Sequence, residues 1–168
     1  LPVVCGPSLM DRGEPAALIQ DTDSWVEQQS AFMTAHAPNA AVVPRFALSC
    51  TPKLLSACGR LARTHRARVL GHVSENEDEV RAVLEHWQSE SYVEIYEHAG
   101  LLGPRTVLAH GVHLSDTELR LLSFSRTWKA PRVSGGVGLR MTSRRMRVGL
   151  RIDYDERRVL VGSGGGGG

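Results

Sequence analysis

Arg68-Val69-Leu70-Gly71-His72-Val73-Ser74-Glu75-Asn76 is the stretch on which the fold turns. A short apolar, β-prone run passes through Gly71-His72 into a charged run with helical character, so an imidazole and a carboxylate fall where a strand becomes a loop. In a parallel α/β protein that strand end is where chemistry is done. One such histidine is most simply a hydrogen-bonded core or loop residue. Thr106-Val107-Leu108-Ala109-His110-Gly111 has the same form, and a second strand running into a His-Gly pair shifts the balance.

Outward from these two stretches the chain reads as repeating βα units. Toward the N-terminus, Pro2-Val3-Val4-Cys5-Gly6 is a buried-strand candidate, and Pro7 to Pro15 is loop by composition. Thr22 or Asp23 is expected to cap a helix with Trp25, Val26, Phe32 and Met33 inward, ending before Pro38-Asn39. Ala40 to Val43 is the next strand. Thr51-Pro52 then opens a helix with Leu54, Leu55, Cys58, Leu61 and Ala62 on one face and a basic last turn.

After Ser74, Glu77, Asp78 and Glu79 favour a helix N-terminus near Asn76, with Val80, Val83, Leu84 and Trp87 inward. A helix through Tyr92 and Tyr96 ends near Gly100, and Ser115-Asp116-Thr117-Glu118 is a capping-box pattern. The strand–helix order recurs about every 30 to 40 residues, which predicts a parallel α/β sheet of about four units, covered on both faces or closed into a barrel.

From Ser123 the pattern thins. Residues 1–122 hold 10 Lys+Arg against 15 Asp+Glu, a net −5, whereas residues 123–168 hold 10 against 3, a net +7. The first part reads as a folded domain and the second as a basic, Gly/Arg-rich tail, expected to be poorly ordered. Within it, Met146 to Val161 alternates well enough for a hairpin across Asp155-Glu156.

No apolar run approaches the ~18 residues of a membrane helix, and the opening residues lack a signal-peptide pattern. The chain does not start with Met, which suggests that it begins inside a longer one. Cys5, Cys50 and Cys58 have no CxxC spacing, so a reducing, cytoplasmic setting is the simplest expectation.

His72 and His110 would reach one face of the sheet, where neutral imidazoles suit a divalent metal such as zinc. Glu75, three residues after His72, could exchange protons with metal-bound water; equally, it could be an acidic residue favoured by a helix dipole. Arg45 offers a planar fork of donors and Phe46 a stacking face, the alternative for Arg45 being a surface ion pair. His36, His65, His86 and His98 fall on or near helices and are expected to face solvent; His113 is undecided.

Three stretches in register, Pro44-Arg45-Phe46-Ala47-Leu48-Ser49-Cys50, Gly71 to Val80 and Thr106 to Gly111, resemble the guanine deaminase family of the amidohydrolase superfamily. Leu9-Met10-Asp11-Arg12 agrees with it, and the likeness covers about residues 1–122. The resemblance implies a (β/α)8 TIM-type barrel, here a part of about four βα units. It also implies one zinc ion, with His72 and His110 as ligands, Glu75 as proton shuttle, and Arg45 with Phe46 in the guanine pocket. The implied reaction is hydrolysis of guanine to xanthine and ammonia, and the complete enzyme is implied to be a homodimer.

Two parts of the family pattern do not occur: the His-x-His of the first strand, and the later His-Cys-Pro-type segment with its zinc-contacting Asp. This chain is therefore expected to be inactive, or nearly so, alone. The other expectation is a non-catalytic isoform or module acting through subunit pairing or a basic tail on a polyanion, although aromatics are too sparse there for a nucleic-acid surface.

Overall fold

The computed structural model describes residues 3–129 in full, and the backbone alone of Val137–Ser143, Met146–Asp155 and Arg158–Ser163. Its elements are β1 (Ser8–Leu9), α1 (Thr22–His36), β2 (Ala41–Pro44), α2 (Pro52–Thr64), β3 (Arg68–Val73), α3 (Glu77–Trp87), α4 (Tyr92–His98), β4 (Thr106–His110), α5 (Asp116–Phe124) and β5 (Trp128–Lys129). The last three strands are β6 (Val137–Ser143), β7 (Met146–Asp155) and β8 (Arg158–Ser163).

Strands β1 to β5 form one parallel sheet in sequential order. Sequential order means that successive crossovers all run the same way along the sheet. A doubly wound sheet would instead reverse at a switch point. Within β3, Val69, Gly71 and Val73 are buried while Leu70 and His72 are only half-buried, the period-2 signature of a sheet with two different faces. The buried face packs under Leu54, Leu55 and Cys58 of α2, Val83 of α3 and Tyr92, Val93 and Tyr96 of α4. On the other face Leu70 neighbours Val107, and His72 neighbours Ala109.

Local chemistry sets the helix starts. Thr51 Oγ1 accepts from Leu54 N at 3.2 Å with Pro52 next in line, and capping boxes begin α3 at Asn76 and α5 at Ser115. Helix α1 is capped by Asp21, which accepts from Asp23 N and Ser24 N, and not by Thr22 or Asp23. Thr22 is instead committed elsewhere: its hydroxyl donates to Asp11 Oδ2 at 2.9 Å, beneath the start of α2.

The first strand is displaced from its expected place. The apolar run Val3 to Gly6 contributes a single bridge, Cys5 to Ala40, and the ladder with β2 forms at Ser8 and Leu9, opposite Val43 and Pro44. The parallel sheet also continues past Leu122, because α5 runs to Phe124 and Trp128–Lys129 pair with Val107 and Leu108. Strands β6, β7 and β8 pair antiparallel, and Asp155, expected in the turn, is instead the last residue of β7, opposite Arg158. The Glu156-Arg157 connection and the glycine run at 164–168 lie outside the described residues. No helix among the described residues is long and apolar enough to cross a membrane.

Candidate active site

The two histidines meet at the C-terminal ends of β3 and β4, although simple alternation would part them. His72 is in register with Ala109 and Val73 with His110, so a regular strand would send His110 to the helix-covered face beside Val73. His110 instead adopts φ 66°, in the left-handed region. Its ring lies stacked on that of His72, with centroids 5.3 Å apart and planes 26° from parallel. A residue other than Gly in that conformation is costly, and such strain collects at functional sites.

The following loop holds the turn in place. Gly111 has φ 59° and its N–H donates to Val73 O at 2.7 Å, while Val112 N and His113 N donate to Ser74 O at 2.9 and 3.2 Å. A Cβ on Gly111 would come within 2.9 Å of Leu114 and Lys129. The left-handed φ and the close side chains both favour glycine here.

His72 is oriented by the backbone of a neighbouring strand end. Its Nδ1 lies 2.8 Å from Arg45 O, an acceptor only, so Nδ1 carries the hydrogen and Nε2 keeps its lone pair. Burial, first of all, and the neighbouring His110 hold its pKa below the usual histidine value, against the pull of the Arg45 carbonyl. Glu75 stands on the same rim, its Oε2 3.6 Å from His110 Nε2. Its loop is drawn in by Glu79, whose Oε2 accepts from Glu75 N at 2.9 Å and Asn76 N at 3.4 Å.

Arg45 joins this group through its backbone, taking Leu9 O with its N–H at 3.1 Å and giving its carbonyl to His72. Its guanidinium lies 5.6 Å from the centre of the Phe46 ring, within cation–π reach. Nη1 also pairs with Glu14 Oε2 at 2.7 Å, and Glu14 Oε1 accepts from Ser49 Oγ at 2.6 Å. Arg45 thus makes the ion pair and the aromatic contact together. Glu14 lies in the Pro7–Pro15 loop, where no periodicity marks it in the sequence.

Three other polar residues have hydrogen-bonding roles that the sequence does not mark. Asp11 accepts from Thr51 N, Thr51 Oγ1 and Thr22 Oγ1, tying the starts of α1 and α2 to the Leu9–Arg12 stretch. Tyr96 donates to His72 O at 2.6 Å, and Tyr92 donates to Glu79 at 2.8 Å. Tyrosines on an apolar helix face carry no sign of their hydroxyl partners. His36, His65, His86 and His98 are exposed as expected, and His113 lies at the rim with Nδ1 3.8 Å from Glu77 Oε1.

Two imidazoles are of a kind that fits two positions of a zinc site. A tetrahedral site requires further donors. Among the described residues no cluster of three or more His, Cys, Asp or Glu side chains is placed to hold a metal ion. The donor set present is therefore partial.

Residues 16–137 match the amidohydrolase family. Guanine deaminase of Dictyostelium discoideum is 36% identical over 129 residues, covering 73% of this chain and 29% of the relative. Among solved structures, E. coli guanine deaminase aligns with a TM-score of 0.74 at 29% identity, over 77% of this chain and 32% of that one. A guanine deaminase from C. acetobutylicum, with guanine bound in its active site, gives 0.72 at 28% identity, over 75% and 32%. The chain thus spans about a third of the length of these relatives. With the family match extending over most of the sequence and the sheet order agreeing with it, the chain belongs to the amidohydrolase family.

Proposed function

We propose that this chain is the part of a guanine deaminase that carries two zinc ligands, the proton shuttle and the purine-holding loop, on about four βα units of a (β/α)8 barrel. The observation that carries the proposal is the convergence of His72, His110 and Glu75 at the ends of β3 and β4. The relatives named guanine deaminase supply the substrate class.

In this reading His72 and His110 hold zinc, which when bound lowers the pKa of a water toward neutrality. Glu75 would carry one proton from that water to the ring nitrogen beside the amino-bearing carbon, and then the proton of the hydroxyl now bonded to that carbon to the departing amine. Having accepted two protons and released two, Glu75 would end the cycle ionised. Arg45 donates to the purine carbonyl, while Phe46 offers its ring face to the purine. Adenine presents an amino donor in place of that carbonyl, so the same guanidinium would face it donor to donor. The free Cys5, Cys50 and Cys58 go with a cytoplasmic setting.

Because two imidazoles do not complete a zinc site, the 168-residue chain alone is inactive or nearly so. A zinc titration coupled to xanthine and ammonia measurements tests this; stoichiometric tight zinc and robust turnover by the isolated chain would overturn it. In the complete enzyme, Glu75→Gln should lower kcat by about 10²- to 10⁴-fold while zinc stays bound. An unchanged kcat removes Glu75 from the chemistry.

A further inference from the structure

We infer that Tyr92 and Glu79 form a positioning relay, which sets the proton-shuttle loop relative to the purine-holding loop. The inference rests on the function proposed for Glu75 and Arg45, but the contacts that carry it are independent of that function. Tyr92 is fully buried on α4, yet its hydroxyl is engaged on both sides: it donates to Glu79 Oε1 at 2.8 Å and accepts from Ala47 N at a longer 3.4 Å. The other oxygen of Glu79 accepts from the backbone of Glu75 and Asn76. One unbroken path of hydrogen bonds therefore runs from Ala47 N–H through the Tyr92 hydroxyl and the Glu79 carboxylate to the Glu75 N–H.

Its two ends matter. Ala47 directly follows Arg45-Phe46, and its carbonyl is held as well, by Trp87 Nε1 at 3.1 Å. Glu75 is the residue whose carboxylate must keep a fixed place beside the histidines. A capping box needs Glu79 to reach only the Asn76 N–H. Here the same side chain also takes the Glu75 N–H and the buried hydroxyl, two bonds beyond that requirement. Tyr96, one helical turn on, donates to His72 O at 2.6 Å, so α4 supports the strand end from the same face. Tyr92 and Glu79 are positioning residues and do not themselves reach the substrate.

Tyr92→Phe tests the relay, since it removes the hydroxyl and keeps the ring that packs against Tyr96. Amide hydrogen exchange in the full 168-residue chain without ligand should accelerate several-fold to about tenfold at Ala47, Glu75 and Asn76. Amides of β3 such as Val69, which report global opening, should be unmoved. Unchanged exchange at Glu75 and Asn76, or equal acceleration throughout the sheet, overturns the inference. Glu79→Ala is the second variant: it removes both acceptor oxygens, so it should expose the Glu75 and Asn76 amides and uncouple Ala47 from Glu75. Co-protection of both loops in that variant also overturns it. Guanine turnover by the complete enzyme is measured separately, so loss of the proposed reaction leaves the exchange result standing, and the reverse.

Discussion

The strained φ of His110 yields a prediction that separates local geometry from side-chain chemistry. Replacing His110 by Ala or by Gly removes the same imidazole, so the lost stacking on His72 cancels between the two variants. What remains is the backbone at φ 66°. An L-residue in the left-handed region is disfavoured by about 1–2 kcal/mol, whereas Gly accepts it freely but gives up about 0.5–1 kcal/mol of unfolded-chain entropy relative to Ala. The balance favours Gly, so His110→Gly should be more stable than His110→Ala by about 1 kcal/mol, roughly 2–4 °C in Tm for a chain of this size. At His72, which lies in β3 outside the left-handed region, the order should reverse, with Ala above Gly by about 0.5–1 kcal/mol. Urea unfolding of the four variants by circular dichroism, at one pH, measures both differences. If His110→Ala equals or exceeds His110→Gly, the turn at His110 is not held against a backbone preference and the account of how the two rings meet fails.

Other consequences are equally direct. Glu118 is buried and accepts from Ser91 Oγ, Tyr92 N and Val93 N with one oxygen and from Ser115 N and Oγ with the other. Glu118→Ala strands two buried backbone donors at the start of α4 and should cost about 2–4 kcal/mol in urea unfolding. Burial pushes the Glu118 pKa up, but the bonds from Ser115, Val93 and Ser91 outweigh it and hold the carboxyl below its usual value. Its stabilisation is therefore full above the unfolded carboxylate pKa and fades as pH falls through the lower folded value; Glu118→Gln should flatten that part of a stability–pH curve. Gly59→Ala would set a Cβ 1.9 Å from Ala99 O, so although Ala gains about 1 kcal/mol in helix propensity, the clash should win, for a net loss measurable as a lower Tm. Arg45→Lys in the complete enzyme should raise KM for guanine about tenfold or more and narrow the preference over adenine, because an ammonium lacks the planar fork; unchanged discrimination would remove Arg45 from purine selection.

Much of the frame was legible in the amino-acid sequence because the signals are local. The apolar runs before His72 and His110, the Thr51-Pro52 start and the Ser115 capping box each depend on residues within one or two turns. They placed α2 to α5 and the strands between them. The Val3–Gly6 run misled, because β1 is defined by its partner: two residues long, it exists only where Ser8 and Leu9 meet Val43 and Pro44. β5 is equally short and carries no period of its own. Asp21, Thr22 and Asp23 are all competent caps, and the choice among them was made by Asp11, which takes the Thr22 hydroxyl from another segment.

For the site, the division follows the same line. Sequence by itself determined which groups stand at the strand ends, His72, His110 and Glu75, with Arg45 and Phe46 in a third loop. Tertiary structure decided their relations: the turn that brings His110 out of alternation, the Arg45 carbonyl that selects the His72 tautomer, and the pairing of Arg45 with Glu14. Residue identity and short-range periodicity are written along the chain, whereas register, tautomer and ion pairing are set by groups distant in sequence and adjacent only once the sheet has formed.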